Sequence, residues 1–241
     1  MLKNRRNFLR AGVAIVTLGL ALSSILMLHL HPLLSSKWKF SRSFYYSGST
    51  SYGQVYVHKR TGMQFVLISE ALADEAGLEW PEGTAMRRFL ISRTEVPQAV
   101  WQRVMGYNPS TWNRADNPVE TVSRPEAESF ATKVGAALPT LEQWELICSG
   151  SLDGTEDGHC RAYIGGSTRS VTGGRPNRLG LFEVSGNVSE WIRGSHDGGS
   201  LAVGGSWVDD SWNCRCEKRD RYEDSDVRAH VGLRLVFELE N

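Results

Sequence analysis

Apolar and polar positions begin to alternate at residue 55. Val55-Tyr56-Val57 and Met63-Gln64-Phe65-Val66-Leu67-Ile68 read as two short strands around the turn Lys59-Arg60-Thr61-Gly62, so a hairpin is expected to open the domain. Phe89-Leu90-Ile91 reads as a further buried strand. A helix is expected next, with Thr94 as its cap, Pro97 in its first turn, Trp101 and Val104-Met105 along it, and Gly106 to Ser110 past its end. Ser123 signals a second helix, with Pro125, Glu126 and Glu128 in the first turn and Phe130 and Val134 on the buried face. A third starts at Thr140, with Trp144 and Ile147 along one side. Beyond Gly150 the helical period stops. Ser149 to Arg178, rich in Gly, Ser, Thr and Arg, is expected to be an irregular surface excursion, not a second domain.

The longest apolar run lies at the amino terminus. Lys3, Arg5, Arg6 and Arg10 precede Ala11 to Leu30, which as a helix would cover roughly 30 Å, the thickness of a bilayer's hydrocarbon. The stretch NRRNFLR resembles a twin-arginine export signal. No A-x-A triplet follows the run, which favours a retained anchor over a cleaved peptide. The expected layout is a signal or anchor segment over 1–31, a linker over 32–54 and one domain over 55–241. The domain would face the periplasm from the inner membrane, held through residues 11–30, or be released into the periplasm if the segment is cut. That compartment permits disulfides; Cys148, Cys160, Cys214 and Cys216 allow three pairings.

Composition narrows the class further. Lys and Arg number 27, Asp and Glu 27, so no net field recruits nucleic acid. Eight Trp and 24 Gly with 41% hydrophobic residues describe a loop-rich globule packed by indoles and tight turns. Trp, Gly, Asn and Arg recur without a helical or strict strand period between Gly180 and Arg234, in GLFEVSGNVSEW, VGGSW, WNCRCEKRDR and VGLRLV.

In order and spacing, that stretch resembles the carboxy-terminal core of the formylglycine-generating enzyme, or sulfatase-modifying-factor, family. Earlier segments are similar to the same family's pattern: Gly62 to Ile68, Thr94-Glu95-Val96 with Trp101 and Asn108-Pro109-Ser110, Asn117 to Glu120, and Leu138 to Glu145. The resemblance implies an α+β fold, a loop-rich variant of the C-type-lectin-like fold, following the amino-terminal signal or transmembrane helix.

The resemblance also implies sites. The family places calcium on the segment matching Glu183 to Glu190, with carboxylates from Glu183 and Glu190 and backbone oxygens from Gly186 and Val188. Its oxidases hold copper on two cysteines with four residues between them, after a GGS-aromatic turn. Here that turn is Gly204-Gly205-Ser206-Trp207, with Asp209 at the first cysteine position and Cys214 at the second. Cys214 is thus the one candidate catalytic residue, and a single thiolate is a poor copper ligand set. An extended segment would put Cys214 and Cys216 on one face, where both could meet a soft metal; burial or disulfides to Cys148 or Cys160 are the plainer readings. The six histidines show no H-x3-H-x-E spacing, so the family's non-haem iron branch is not expected. Asn187, Trp191, Arg219 and Arg234 are expected in the structural core, since a buried Arg can satisfy several carbonyls at once.

The expected function is therefore an accessory or binding module on this scaffold, without the copper-oxidase pair. It would engage an exported or membrane protein through the loops 149–178 and 194–211. The rivals are a periplasmic maturation enzyme of the formylglycine-generating type and a structural subunit of a membrane complex.

Overall fold

In the computed structural model, described over residues 42–81, 86–151, 160, 166–194 and 198–239, the first hairpin forms where the alternation places it. Strand β1 (Phe44–Thr50) precedes β2 (Gly53–His58) and β3 (Gln64–Ile68), and β2 and β3 pair antiparallel with Val55 opposite Val66. Gly62 closes the turn at φ 73°, a conformation that costs glycine no Cβ clash, and donates from its amide to His58 O at 2.8 Å. The signal or anchor segment 1–31 lies outside the described residues; among those described, no helix is long and apolar enough to cross a membrane. The segment read as a linker, 32–54, contains β1 and the start of β2. Its Ser, Gly and Tyr content conceals an edge strand, whose outer face needs no apolar period. By internal contacts the chain divides into Met1–Phe44 with Glu240–Asn241, and Tyr45–Leu239; the second unit holds nearly everything described here.

After β3 come a short helix α1 (Glu70–Glu75) and strand β4 (Phe89–Ser92). Helix α2 spans Gln98–Met105 and ends on Gly106 at φ 86°. Its N-cap is Pro97, without a side-chain bond, and not Thr94 as expected from sequence. The two residues between are held by the backbone of other segments: Val96 N donates to Leu233 O and Val119 N to Val96 O, so the helix cannot start before them. Helices α3 (Arg124–Val134) and α4 (Leu141–Ser149) do begin at Ser123 and Thr140, each with a reciprocal capping box, to Glu126 and Gln143. Trp101 of α2 stacks on Phe130 of α3 with ring centres 4.9 Å apart.

The remaining strands are short: β5 (Ser189–Trp191), β6 (Ser200–Val203), β7 (Arg219–Tyr222), β8 (Val231–Gly232) and β9 (Val236–Glu238). The chain's end returns to the first sheet, ordered β1-β2-β3-β4-β9, while the second runs β7-β6-β5-β8. In the second sheet β5 is central, antiparallel to β6 and parallel to β8, which pairs Glu190 with Val203 on one side and with Gly232 on the other. The main core joins both sheets to α4 through Val66, Phe89, Ile91, Trp144, Ile147, Val203 and Val236. No helix or strand occurs in the described part of the excursion after α4.

At the end of β2, His58 is buried against Phe65 and Phe237, and its Nδ1 is 2.9 Å from Thr61 Oγ1. Burial, helped by the charge of Arg60, pushes its pKa down to about 4. The folded protein therefore resists a proton that the unfolded chain accepts near pH 6.5, so His58 contributes stability above that pH that is lost as pH falls toward about 4. His58→Gln should flatten this part of the acid limb in urea melts between pH 7 and 4; an unchanged limb would show that His58 does not carry it.

Candidate functional site

The sequence-marked loop 183–190 bends through left-handed backbone at Glu183 (φ 48°), Gly186 (φ 91°) and Asn187 (φ 58°). A short amide tolerates this region better than most side chains, and Asn187 is fixed there from both ends. Its Oδ1 accepts from Arg169 N at 2.9 Å and its Nδ2 donates to Glu95 at 2.9 Å. The loop then enters β5 at the centre of the second sheet, so Glu190 points into the interior at 1% exposure.

Glu190 is the focus of a buried network. It accepts from Trp144 Nε1 at 2.9 Å and from Arg234, whose Nε lies 2.9 and 3.1 Å from the two carboxylate oxygens. Arg234, fully buried, spends its remaining donors on backbone: Ser92 O at 3.0 Å, Phe182 O at 2.7 Å and Glu183 O at 3.3 Å. One guanidinium thus ties β4, the 183–190 loop and β5 together. Glu183 belongs to a second pair, with Arg169 Nε and Nη2 donating to its two oxygens at 2.8 and 2.9 Å. Burial pushes the Glu183 carboxyl up, and the Arg169 fork opposes that push. Glu95, wholly buried beneath the loop, accepts from Asn187 and from Val188 N; burial and then the nearby Glu183 and Glu190 raise it well above the usual carboxylate range.

Calcium needs about six to eight oxygens with free charge among them. The donor set here does not fit it: both expected carboxylates, Glu183 and Glu190, are forked by guanidiniums, and Arg234 brings a positive charge to the carbonyl side of the same loop. Gly186 and Val188 take part through backbone amides, which donate to Gly204 O and to Glu95.

The turn that bears copper in the oxidases is packed against this network. Gly204 lies so close to α4 that a Cβ there would stand 2.8 Å from the Trp144 ring. Past it, Ser206 donates from both its amide and its hydroxyl to Asp209 Oδ2 at 2.9 Å, and Lys218 sits 3.5 Å from the other oxygen. Cys214 is bonded to Cys160, and Cys216 to Cys148. With no free cysteine in the chain, Cys214 and Cys216 do not form the two-thiolate face that an extended segment would give. The segment is not extended: a 3₁₀ turn at Ser211–Asn213 precedes Cys214 and sends the two sulfurs to different elements.

The other marked residues divide. Asn187, Trp191 and Arg234 are completely buried, with Trp191 Nε1 donating to Val122 O at 2.9 Å. Arg219 is a correction: it lies at the surface on β7 and pairs with the partly exposed Glu145 of α4, because β7 edges its sheet and residues 219 and 221 face outward. Arg169 and Glu95 are further members of the network, and neither was assigned to a site from sequence. Beside Asp209 and Lys218, Tyr222 and His230 meet at 3.2 Å. Burial pushes the tyrosine up to about 12 and the histidine down, so at neutral pH the pair is uncharged and presents no activated nucleophile.

Residues 55–239 match the family described as the Sulfatase-modifying factor enzyme 1-like domain. The chain belongs to this family. A formylglycine-generating enzyme from Thermomonospora curvata is 34% identical over 125 residues, 40% of this chain and 39% of that protein. The mouse inactive C-alpha-formylglycine-generating enzyme 2 is 27% identical over 139 residues, 47% of this chain and 45% of that protein. The matches thus span less than half the length of these curated relatives, and the family includes both generating enzymes and inactive members. Among solved structures, Treponema denticola variable protein 1 shares the mixed α and β, loop-rich fold with TM-score 0.59 at 20% identity, over 78% of this chain and 98% of that one.

Proposed function

We propose that this protein is a non-oxidase member of the family: a binding or accessory module, exported and held on the periplasmic side of the membrane by residues 11–30. The observation that carries the non-oxidase reading is the fate of the copper positions. Asp209 stands where the first thiolate would, satisfied by Ser206 and Lys218, and the Cys214 sulfur is spent on Cys160. Cu(I) is held by soft thiolates, and a hard carboxylate with a disulfide sulfur does not replace them. Export is supported by the oxidation of all four cysteines, a state that oxidising compartments maintain. The scaffold is read as a variant C-type-lectin-like fold, supported by its two small sheets and the long irregular stretches between their strands among the described residues. Its partner, an exported or membrane protein, would meet the loops 149–178 and 194–211. Trp212, 68% exposed on the turn beside the Cys160–Cys214 bond, is the large apolar anchor on that side.

Incubation of the purified protein with Cu(I), oxygen and a sulfatase-type cysteine peptide tests the reading. The expected result is no formylglycine above a metal-only control, with copper titration showing no stoichiometric tight site. Turnover that disappears in Cys214→Ser would overturn it. Export is checked separately by fractionating cells that carry Arg5→Lys with Arg6→Lys; loss of the periplasmic form is expected, and unchanged export would point to the general secretory route.

A further inference from the structure

Glu183 opens the loop in which the family resemblance leads one to expect calcium, and its side chain is completely buried. A carboxylate taken out of water must find a cation or keep a proton. The cation here belongs to the chain. Arg169 grips both oxygens of Glu183 in a two-point fork, and the amide of Gly174 adds a further donor. Arg169 is also strapped to the loop through its backbone: its N donates to Asn187 Oδ1 at 2.9 Å and its O accepts from Asn187 Nδ2 at 3.3 Å. Asn187 lies between Gly186 and Val188, so guanidinium and loop are fixed in register by the same residue. At the other end of the loop Arg234 neutralises Glu190. The two guanidiniums together carry the charge of one divalent ion. A further dication would therefore add repulsion and find no carboxylate unengaged by arginine at either end of the loop.

We infer that Arg169 is a built-in substitute for a divalent cation, cross-linking the 183–190 loop to the excursion before it and making this fold independent of calcium. The inference stands apart from the proposed function, because it concerns what holds the loop and not what the loops bind. It carries a specific consequence. Arg169 is 29% exposed, so truncating it opens a buried carboxylate to solvent and leaves it without its cation, a place that a hard, flexible-shelled dication can take. Arg169→Ala should convert the loop into a calcium site.

Thermal melts in chelator and in millimolar calcium or magnesium test this on the whole chain. For the wild type the midpoint should not move under any of the three conditions. Arg169→Ala should melt about 10 °C lower in chelator and recover a large part of that loss with calcium, but not with magnesium. A calcium-dependent shift in the wild type would overturn the inference. So would a folded Arg169→Ala that ignores calcium, or one that responds equally to magnesium, since that would be general charge screening. Should Arg169→Ala fail to fold without metal, the soluble yield on refolding replaces the melt: recovery with calcium alone supports the inference, and failure with calcium overturns it.

Discussion

Removing either disulfide alone should lower stability by about 3 kcal/mol, and removing both should lower it by about 7 kcal/mol, more than the sum of the singles. The bonds are nested: Cys148–Cys216 spans 68 residues and encloses Cys160–Cys214, which spans 54. While one is intact, the other closes a ring of only about 14 residues, made of the short stretches between the paired ends, and so restricts the unfolded chain less. With both absent the first closure is a long one and is worth more. Urea melts of Cys148→Ala/Cys216→Ala, of Cys160→Ala/Cys214→Ala and of the fourfold variant measure the three values. A loss of about 7 kcal/mol rivals the whole stability of many domains, so the fourfold variant is expected to be largely unfolded at 37 °C. Strictly additive losses, or losses below about 1 kcal/mol, would show that the unfolded chain is already confined by other means.

Periodicity and cap chemistry made the first half of the domain legible. Ser123 and Thr140 announce their helices because the same residues that stop the preceding loop satisfy the first free amides. Thr94 misled for a tertiary reason: Val96 bonds to Leu233, just past β8 and far off in sequence, and no local pattern reports that. The second half was legible only through its resemblance to a family, since β5 and β8 hold three and two residues and show no period. Arg234 could be placed in the core by resemblance, but its carboxylate could not be named. The pairing of Arg169 with Glu183 joins a Gly and Ser-rich segment to the loop, and no local pattern reports it. The disulfides were open among three pairings because sequence carries no distance between sulfurs.

Glu190→Ala should cost about 3–5 kcal/mol, which makes it the most damaging single substitution expected in the second sheet. The cost does not measure the attraction between Glu190 and Arg234; it arises mainly because Arg234, completely buried, is left charged without a counter-ion, while Trp144 Nε1 loses its acceptor. Two further variants separate these contributions. Glu190→Gln keeps an acceptor for the indole and the shape of the site but removes the charge, so it should be milder than Ala. Glu190→Leu combined with Arg234→Met removes both charges and fills similar volume, so its loss should be smaller than the sum of the two singles. It should not return to wild type, since the carbonyls of Ser92, Phe182 and Glu183 then lose the donor that Arg234 supplied. Denaturant melts of these three variants and of the singles Glu190→Leu and Arg234→Met give all five values. If Glu190→Ala loses less than about 1 kcal/mol, Arg234 is reaching water or another anion in the variant, and the network is not the closed hub that its geometry describes.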